Sequence, residues 1–124
     1  MNRLPQISDS ELEVMKILWE KSPLTSSKII DKLSKTTDWK PTTIKTLIRR
    51  LVKKKVISYD NNNRIYYYYP LMDKEKFLES KSKSFLKKVY DGGLKAMFAK
   101  FIEIEDLSKE DIEELKSILN EKND

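Results

Sequence analysis

The sequence of 124 residues contains no cysteine and no histidine. The first absence excludes disulfides, thiolate metal sites and cysteine nucleophiles together. The second removes the commonest general base and the commonest metal ligand. No catalytic residue, metal site or cofactor is therefore expected, and an enzyme is the weakest reading. The carboxylates Glu103, Glu105, Asp106, Glu110 and Asp111 form an acidic run with no histidine beside them, which reads as a solvated helix start. Glycine occurs only as the adjacent pair Gly92-Gly93, a candidate corner between helices. No apolar run approaches the ~20 residues of a membrane span. The opening MNRLPQISDSE lacks the apolar region of a signal peptide. The chain is expected in the cytoplasm, without membrane insertion. Last, the stretch Lys40 to Lys55, KPTTIKTLIRRLVKKK, holds seven Lys or Arg and not one acid.

That stretch is a helix by its periodicity. Ile44, Leu47, Ile48, Leu51 and Val52 recur at i, i+3, i+4, i+7 and i+8, one face of a helix. Pro41 suits the first turn, where its missing N–H costs nothing. Thr42, Thr46, Arg49 and Lys53 fall on the opposite face, with Thr43 and Arg50 beside them. One face can pack on a core while the other offers hydroxyls and guanidinium groups. A helix in a DNA major groove needs those groups for base edges, thymine methyls and phosphates. A merely solvated basic face would look the same in isolation, so the rest of the chain decides. Residues 1–72 hold 14 basic and 7 acidic side chains, and residues 73–124 hold 11 and 13. The first half can meet a polyanion, and the second is better suited to protein contacts.

The pattern along the chain is helix, helix, helix, strand, turn, strand. Ser8 with Glu11 forms a capping box, and Leu12, Met15, Leu18 and Trp19 carry a helix to about Lys21. Ser26 to Ser34 holds Ile29, Ile30 and Leu33, a short second helix. The basic helix is third. Val56 to Tyr59 reads as a strand, Asp60 to Asn63 as a turn and Arg64 to Tyr69 as a second strand ended by Pro70. This is a winged helix-turn-helix domain over residues 1–72, with Asn61 to Arg64 at the tip of the wing. Arg64 is placed there as a DNA phosphate contact. The tyrosines of RIYYYY read as strand-formers covering the helical core in preference to a stacking platform for single strands.

Residues 73–124 read as three amphipathic helices. Asp73 to Tyr90 carries Phe77 and Leu86, and Leu94 to Ile104 carries Phe98 and Phe101. The last helix, capped by Ser108 with Asp111, carries Ile112, Leu115, Ile118 and Leu119. Charged residues make up 36% of the chain and hydrophobic ones 39%, so any core is small. Three short helices cannot each bury such faces in so small a module. Pairing with a second subunit through these residues solves this and matches a palindromic DNA site. The expected fold is mainly α with a small β-hairpin: an N-terminal winged helix-turn-helix, then a three-helix dimerisation region.

The chain also resembles a known family, the β-lactamase and methicillin-resistance repressors of the BlaI/MecI type. The resemblance lies in ISDSELEVMKILW, in W-x-P-x-T-I-x-T-L-I-x-R-L-x-K-K, in the tyrosine-rich strand, in KSFLKKVYDGG and in EDLSKEDIEELKSIL. It covers nearly the whole chain. It implies a dimeric winged-helix repressor that binds palindromic operator DNA, with DNA-reading positions at Thr42, Thr43, Thr46 and Arg50. It further implies a membrane-bound sensor-transducer with a metalloprotease domain, and release by cleavage in the dimerisation region. Three positions depart from the family pattern. Lys40 stands where a Ser-like cap is usual. Lys55 replaces the glycine that ends the third helix, so the left-handed residue of that turn is expected elsewhere or not at all. The family's scissile pair is Asn-Phe, and the matching pair here is Lys100-Phe101. Copper-responsive relatives end in a cysteine cluster, which this chain lacks.

The leading expectation is a repressor of a β-lactam resistance operon. The alternatives are a winged-helix regulator of other genes without a protease partner and, from another class, a protein-interaction adaptor. The charge division and the hydroxyl-lined basic face oppose the adaptor.

Overall fold

The computed structural model describes residues 4–91 and 93–123. Its elements are α1 (Asp9–Glu20), α2 (Ser26–Ser34), α3 (Pro41–Lys53), β1 (Ile57–Asn62), β2 (Ile65–Pro70), α4 (Lys74–Val89), α5 (Gly93–Ile104) and α6 (Lys109–Asn123). The fold is mainly helical with one antiparallel hairpin, in the order the sequence predicts. Backbone contacts divide it into two compact units, one up to Ser80 and one from Lys81.

Local chemistry sets the helix ends of the first unit. The Ser8 hydroxyl accepts from the Glu11 amide at 3.1 Å, and Glu11 Oε1 accepts from the Ser8 amide at 2.8 Å. Two orphan amides of α1 are thereby satisfied. Thr25 caps α2 through its hydroxyl, which accepts from the Lys28 amide at 3.2 Å. Lys40 makes no side-chain cap, and Pro41 occupies the first turn of α3. The other end of α3 corrects an expectation. Lys55 itself takes the left-handed conformation, with φ of 62°. Its amide donates to Val52 O and the Val56 amide to Leu51 O, both at 3.0 Å. That is the paired closure usually built on glycine. Val56 is fully buried just beyond it, which fixes the exit direction and forces Lys55 into the turn.

The core gathers Val14, Met15 and Leu18 of α1, Ile29 and Leu33 of α2 and Ile44, Leu47, Ile48 and Leu51 of α3, with Val56, Ile57, Met72 and Phe77. The buried stripe of α1 is Glu11, Val14, Met15 and Leu18. Met15 and Leu18 of the predicted stripe belong to it, whereas Leu12 and Trp19 only flank the core. The Trp19 indole donates to Met72 O at 2.8 Å, and its ring lies 5.3 Å from Phe77. Phe77, expected among the dimerisation residues, is 6% exposed and belongs to this core.

The hairpin is longer and its turn tighter than the sequence reading. The strands pair from Ile57↔Pro70 to Asn62↔Ile65, leaving Asn63-Arg64 as a two-residue turn. Both have positive φ, 53° and 69°, the sign a type I′ hairpin turn requires. Asn61 Oδ1 accepts from the Arg64 amide at 3.0 Å. Leu24 bonds Tyr68 in both directions, at 2.9 and 2.7 Å, so the hairpin root is fixed just ahead of α2.

In the second unit α5 and α6 follow Gly93, whose φ is 72°. Gly92, the other half of the expected corner, lies outside the described residues. Ser108 and Asp111 form the expected capping box of α6, at 3.0 and 3.1 Å. Phe85 packs on Tyr90 and Tyr90 edge-on against Phe101. No residue of α5 or α6 is buried.

Candidate nucleic-acid interface

The α3 helix divides as its sequence does. Ile44, Leu47, Ile48 and Leu51 are buried. Thr42, Thr43, Arg49, Arg50 and Lys53 are exposed, and Thr46 is half-buried. Burial of one face therefore commits the opposite one to solvent, with hydroxyls and cations interleaved. Side-chain bonds organise that surface further. Thr46 Oγ1 donates to Thr42 O at 3.0 Å and accepts from Arg49 Nη2 at 3.3 Å. Its proton is thus committed inside the helix, and the methyl with one lone pair remains to meet a ligand. Arg49 is held along the helix rather than extended.

A hollow of about 330 Å³ opens beside this face, lined by Ser26, Lys45, Ile48, Arg49 and Tyr68. Two cations and two hydroxyls ring an apolar floor. Ser26, Lys45 and Tyr68 were not singled out from sequence. Lys45 sits off the centre of the polar face, and only the hairpin brings Tyr68 to it. The wing adds Arg64 at its exposed turn. The tyrosines divide between two tasks. Tyr68 packs on the core as predicted. Tyr66 does not: it stacks on Tyr59 at 4.3 Å, with the two rings 41% and 39% exposed.

One interaction escaped the sequence reading altogether. Glu11 is 1% exposed, and its Oε1 accepts from Lys54 Nζ at 2.6 Å. Lys54 also donates to Gln6 O at 3.0 Å. Burial pushes the Glu11 carboxyl up; the bonds from Lys54 and Ser8 and the Lys54 charge outweigh it and hold the group below the usual range. Of the seven cations between Lys40 and Lys55, Lys54 is therefore engaged within the protein. Helical phase carried the signal: Glu11 precedes Val14, Met15 and Leu18 by three, four and seven residues, which puts it on the buried stripe.

A three-helix core, a hairpin wing and an exposed basic helix with threonines define a winged helix-turn-helix protein of the DNA-binding class. The sequence model of the penicillinase repressor family matches residues 7–121. The penicillinase repressor of Bacillus licheniformis is 44% identical over 121 residues, covering 98% of this chain and 94% of that protein. The methicillin resistance regulatory protein MecI of Mammaliicoccus sciuri is 43% identical over 121 residues, covering 98% of each. Among solved structures, monomeric Bacillus licheniformis BlaI in complex with the blaP half-operator matches at 43% identity and a TM-score of 0.54. That match covers 60% of this chain and 92% of the other. The chain belongs to the penicillinase repressor family.

Proposed function

We propose that this chain is a dimeric transcriptional repressor that binds palindromic operator DNA of a β-lactam resistance operon in the cytoplasm. The observation that carries the reading is the α3 surface, together with 43–44% identity over nearly the full length to penicillinase and methicillin-resistance repressors. Residues 1–72 are assigned to DNA binding and 73–124 to dimerisation, with Phe77 serving the core of the first unit. Among the described residues no helix is long and apolar enough to cross a membrane.

Each DNA-facing group has a chemical role. Arg50 and Thr43 at the edge of the face, with Thr42 and the Thr46 methyl, meet base edges. Arg49, Lys53 and Arg64 meet phosphates. The hollow takes a stretch of backbone: Ile48 and the Tyr68 ring floor a deoxyribose, and Ser26, Lys45 and Arg49 hold the adjacent phosphate. Leu86, Phe98, Phe101, Ile112, Leu115, Ile118 and Leu119 form the dimer face. Competitive gel shift with a palindromic duplex against a scrambled duplex tests the reading. Strong preference for the palindrome is expected; equal binding of both, or of neither, contradicts it.

Release is proposed to follow cleavage between Lys100 and Phe101 by a membrane sensor-transducer metalloprotease. Both residues are exposed on α5, a helix of 12 residues, short enough to open locally without unfolding the first unit. Cutting there detaches α6 and leaves each half with the weak affinity of one DNA contact set. Mass spectrometry of the chain from cells exposed to a β-lactam is expected to find fragments 1–100 and 101–124. An intact chain alongside derepressed genes would favour a regulator without a protease partner, a reading to which Lys100 in place of asparagine lends weight.

A further inference from the structure

Three consecutive lysines, Lys53, Lys54 and Lys55, close the DNA-facing helix and lead into the wing. Lys53 and Lys55 are exposed. Lys54 is the C-cap of α3, and its ammonium is shared between Glu11 Oε1 at 2.6 Å and Gln6 O at 3.0 Å. Glu11 is the one buried charged residue among the described residues. Its carboxylate is already fixed by the α1 capping box through the Ser8 amide. A single ammonium therefore joins the start of α1 to the end of α3.

The rest of the α1–α3 contact is apolar. Apolar contact is strong but non-directional, so it tolerates small rotations and slides. The Lys54 bond adds a directional constraint, because Nζ is held by both Glu11 Oε1 and Gln6 O and the carboxylate is itself held by the Ser8 amide. The pair is also poorly built for stability alone. Glu11 Oε2 is buried without a hydrogen-bond partner, and the Lys54 side chain, 37% exposed, offsets only part of the cost of taking a carboxylate out of water. What such a pair can supply is a fixed register. Its position makes that register matter, because beyond Lys54 the chain makes one left-handed turn at Lys55 and enters β1. An error at this joint tilts the DNA-reading helix and the root of the wing together.

We infer that the Glu11–Lys54 pair is a positioning device for operator recognition, and that Lys54 is not itself a phosphate contact. The inference rests on the DNA-binding reading above. Base-edge contacts need side chains placed closely in the groove, whereas long flexible cations follow phosphates through small displacements. Loss of the pair should therefore reduce discrimination more than general affinity.

The test uses the full-length chain and two duplexes: a palindrome selected from a random pool by the unmodified chain, and a scrambled duplex of equal length. The ratio of the two affinities is measured for Lys54→Gln and Lys54→Arg. Taking the ratio on one preparation cancels any inactive fraction, so a partly unfolded variant still answers. Lys54→Gln is expected to lower the ratio about tenfold, comparable to one mismatched base pair. The scrambled-duplex affinity and the salt slope should stay nearly unchanged. Lys54→Arg should restore the ratio, since a guanidinium can bond both carboxylate oxygens of Glu11. An unchanged ratio in Lys54→Gln would overturn the inference. So would a parallel loss on both duplexes with the salt slope reduced by ~0.9 per protomer, the mark of a lost phosphate contact. If the unmodified chain selected no duplex, the DNA reading would fall first and this inference with it.

Discussion

Lys55 and Arg64 hold positive φ, at 62° and 69°, where glycine would fit better. Each costs about 1–2 kcal/mol of backbone strain, and each sits in the basic half of the chain. Replacing Lys55 by Gly should raise stability by ~1 kcal/mol, read as a higher denaturant midpoint at unchanged slope. Arg64→Gly should likewise firm the hairpin while weakening binding to all DNA sequences alike. A loss of stability in either variant would contradict the strain assignment. Glu11 adds a pH dependence. Its carboxyl titrates below the ordinary range in the folded protein, so the unfolded chain takes up that proton first as pH falls. The contribution is complete above the ordinary carboxylate range and drains away through the lower folded value. Glu11→Gln should flatten the acid limb of a stability-against-pH curve; an unaltered limb would discount the pair. Glu11 was legible in part: its capping role is local, but its ion-pair partner Lys54 lies 43 residues away. Nothing local marks Lys55 as left-handed, since the sterics favouring glycine are overruled by the burial of Val56.

At the scale of elements, caps and periodicity were reliable guides. Ser26–Ser34 is the predicted second helix, because Thr25 caps it and Ile29 and Leu33 are buried. The wing was less legible. Asp60, Asn61 and Asn62 are turn-formers by type, yet they pair with Tyr67, Tyr66 and Ile65. The cross-strand aromatic partners override that preference, and the turn shrinks to Asn63-Arg64. The exposed hydroxyls and cations of α3 were readable because one apolar stripe dictates the opposite face. The hollow was not, since Tyr68 reaches it only through strand pairing. Arg50→Ala should cost ~1–3 kcal/mol on the selected site and relax preference at one position per half-site. Equal loss on every sequence would reclassify Arg50 as a phosphate contact.

At the scale of the whole molecule, one unit has a conventional core, and in the other no residue of α5 or α6 is buried. Leu94, Phe101, Ile102, Ile104, Ile112, Ile118 and Leu119 all stay exposed, an apolar surface that a second subunit would cover. The amphipathic faces were visible as periodicity, and in the structure their apolar residues stay exposed. Leu115→Lys places an ammonium on that face and should dissociate the dimer in sedimentation, with DNA affinity falling accordingly. An intact mutant dimer would move the interface elsewhere. In the proposed function, the α3 surface and the wing bind duplex DNA through a two-fold set of cations. The salt dependence of operator binding by the full-length chain tests it most directly. With Lys54 engaged internally, the remaining cations of two protomers should neutralise ~6–10 phosphates, giving a slope of log K against log salt of about −5 to −9. A slope near zero would contradict the account.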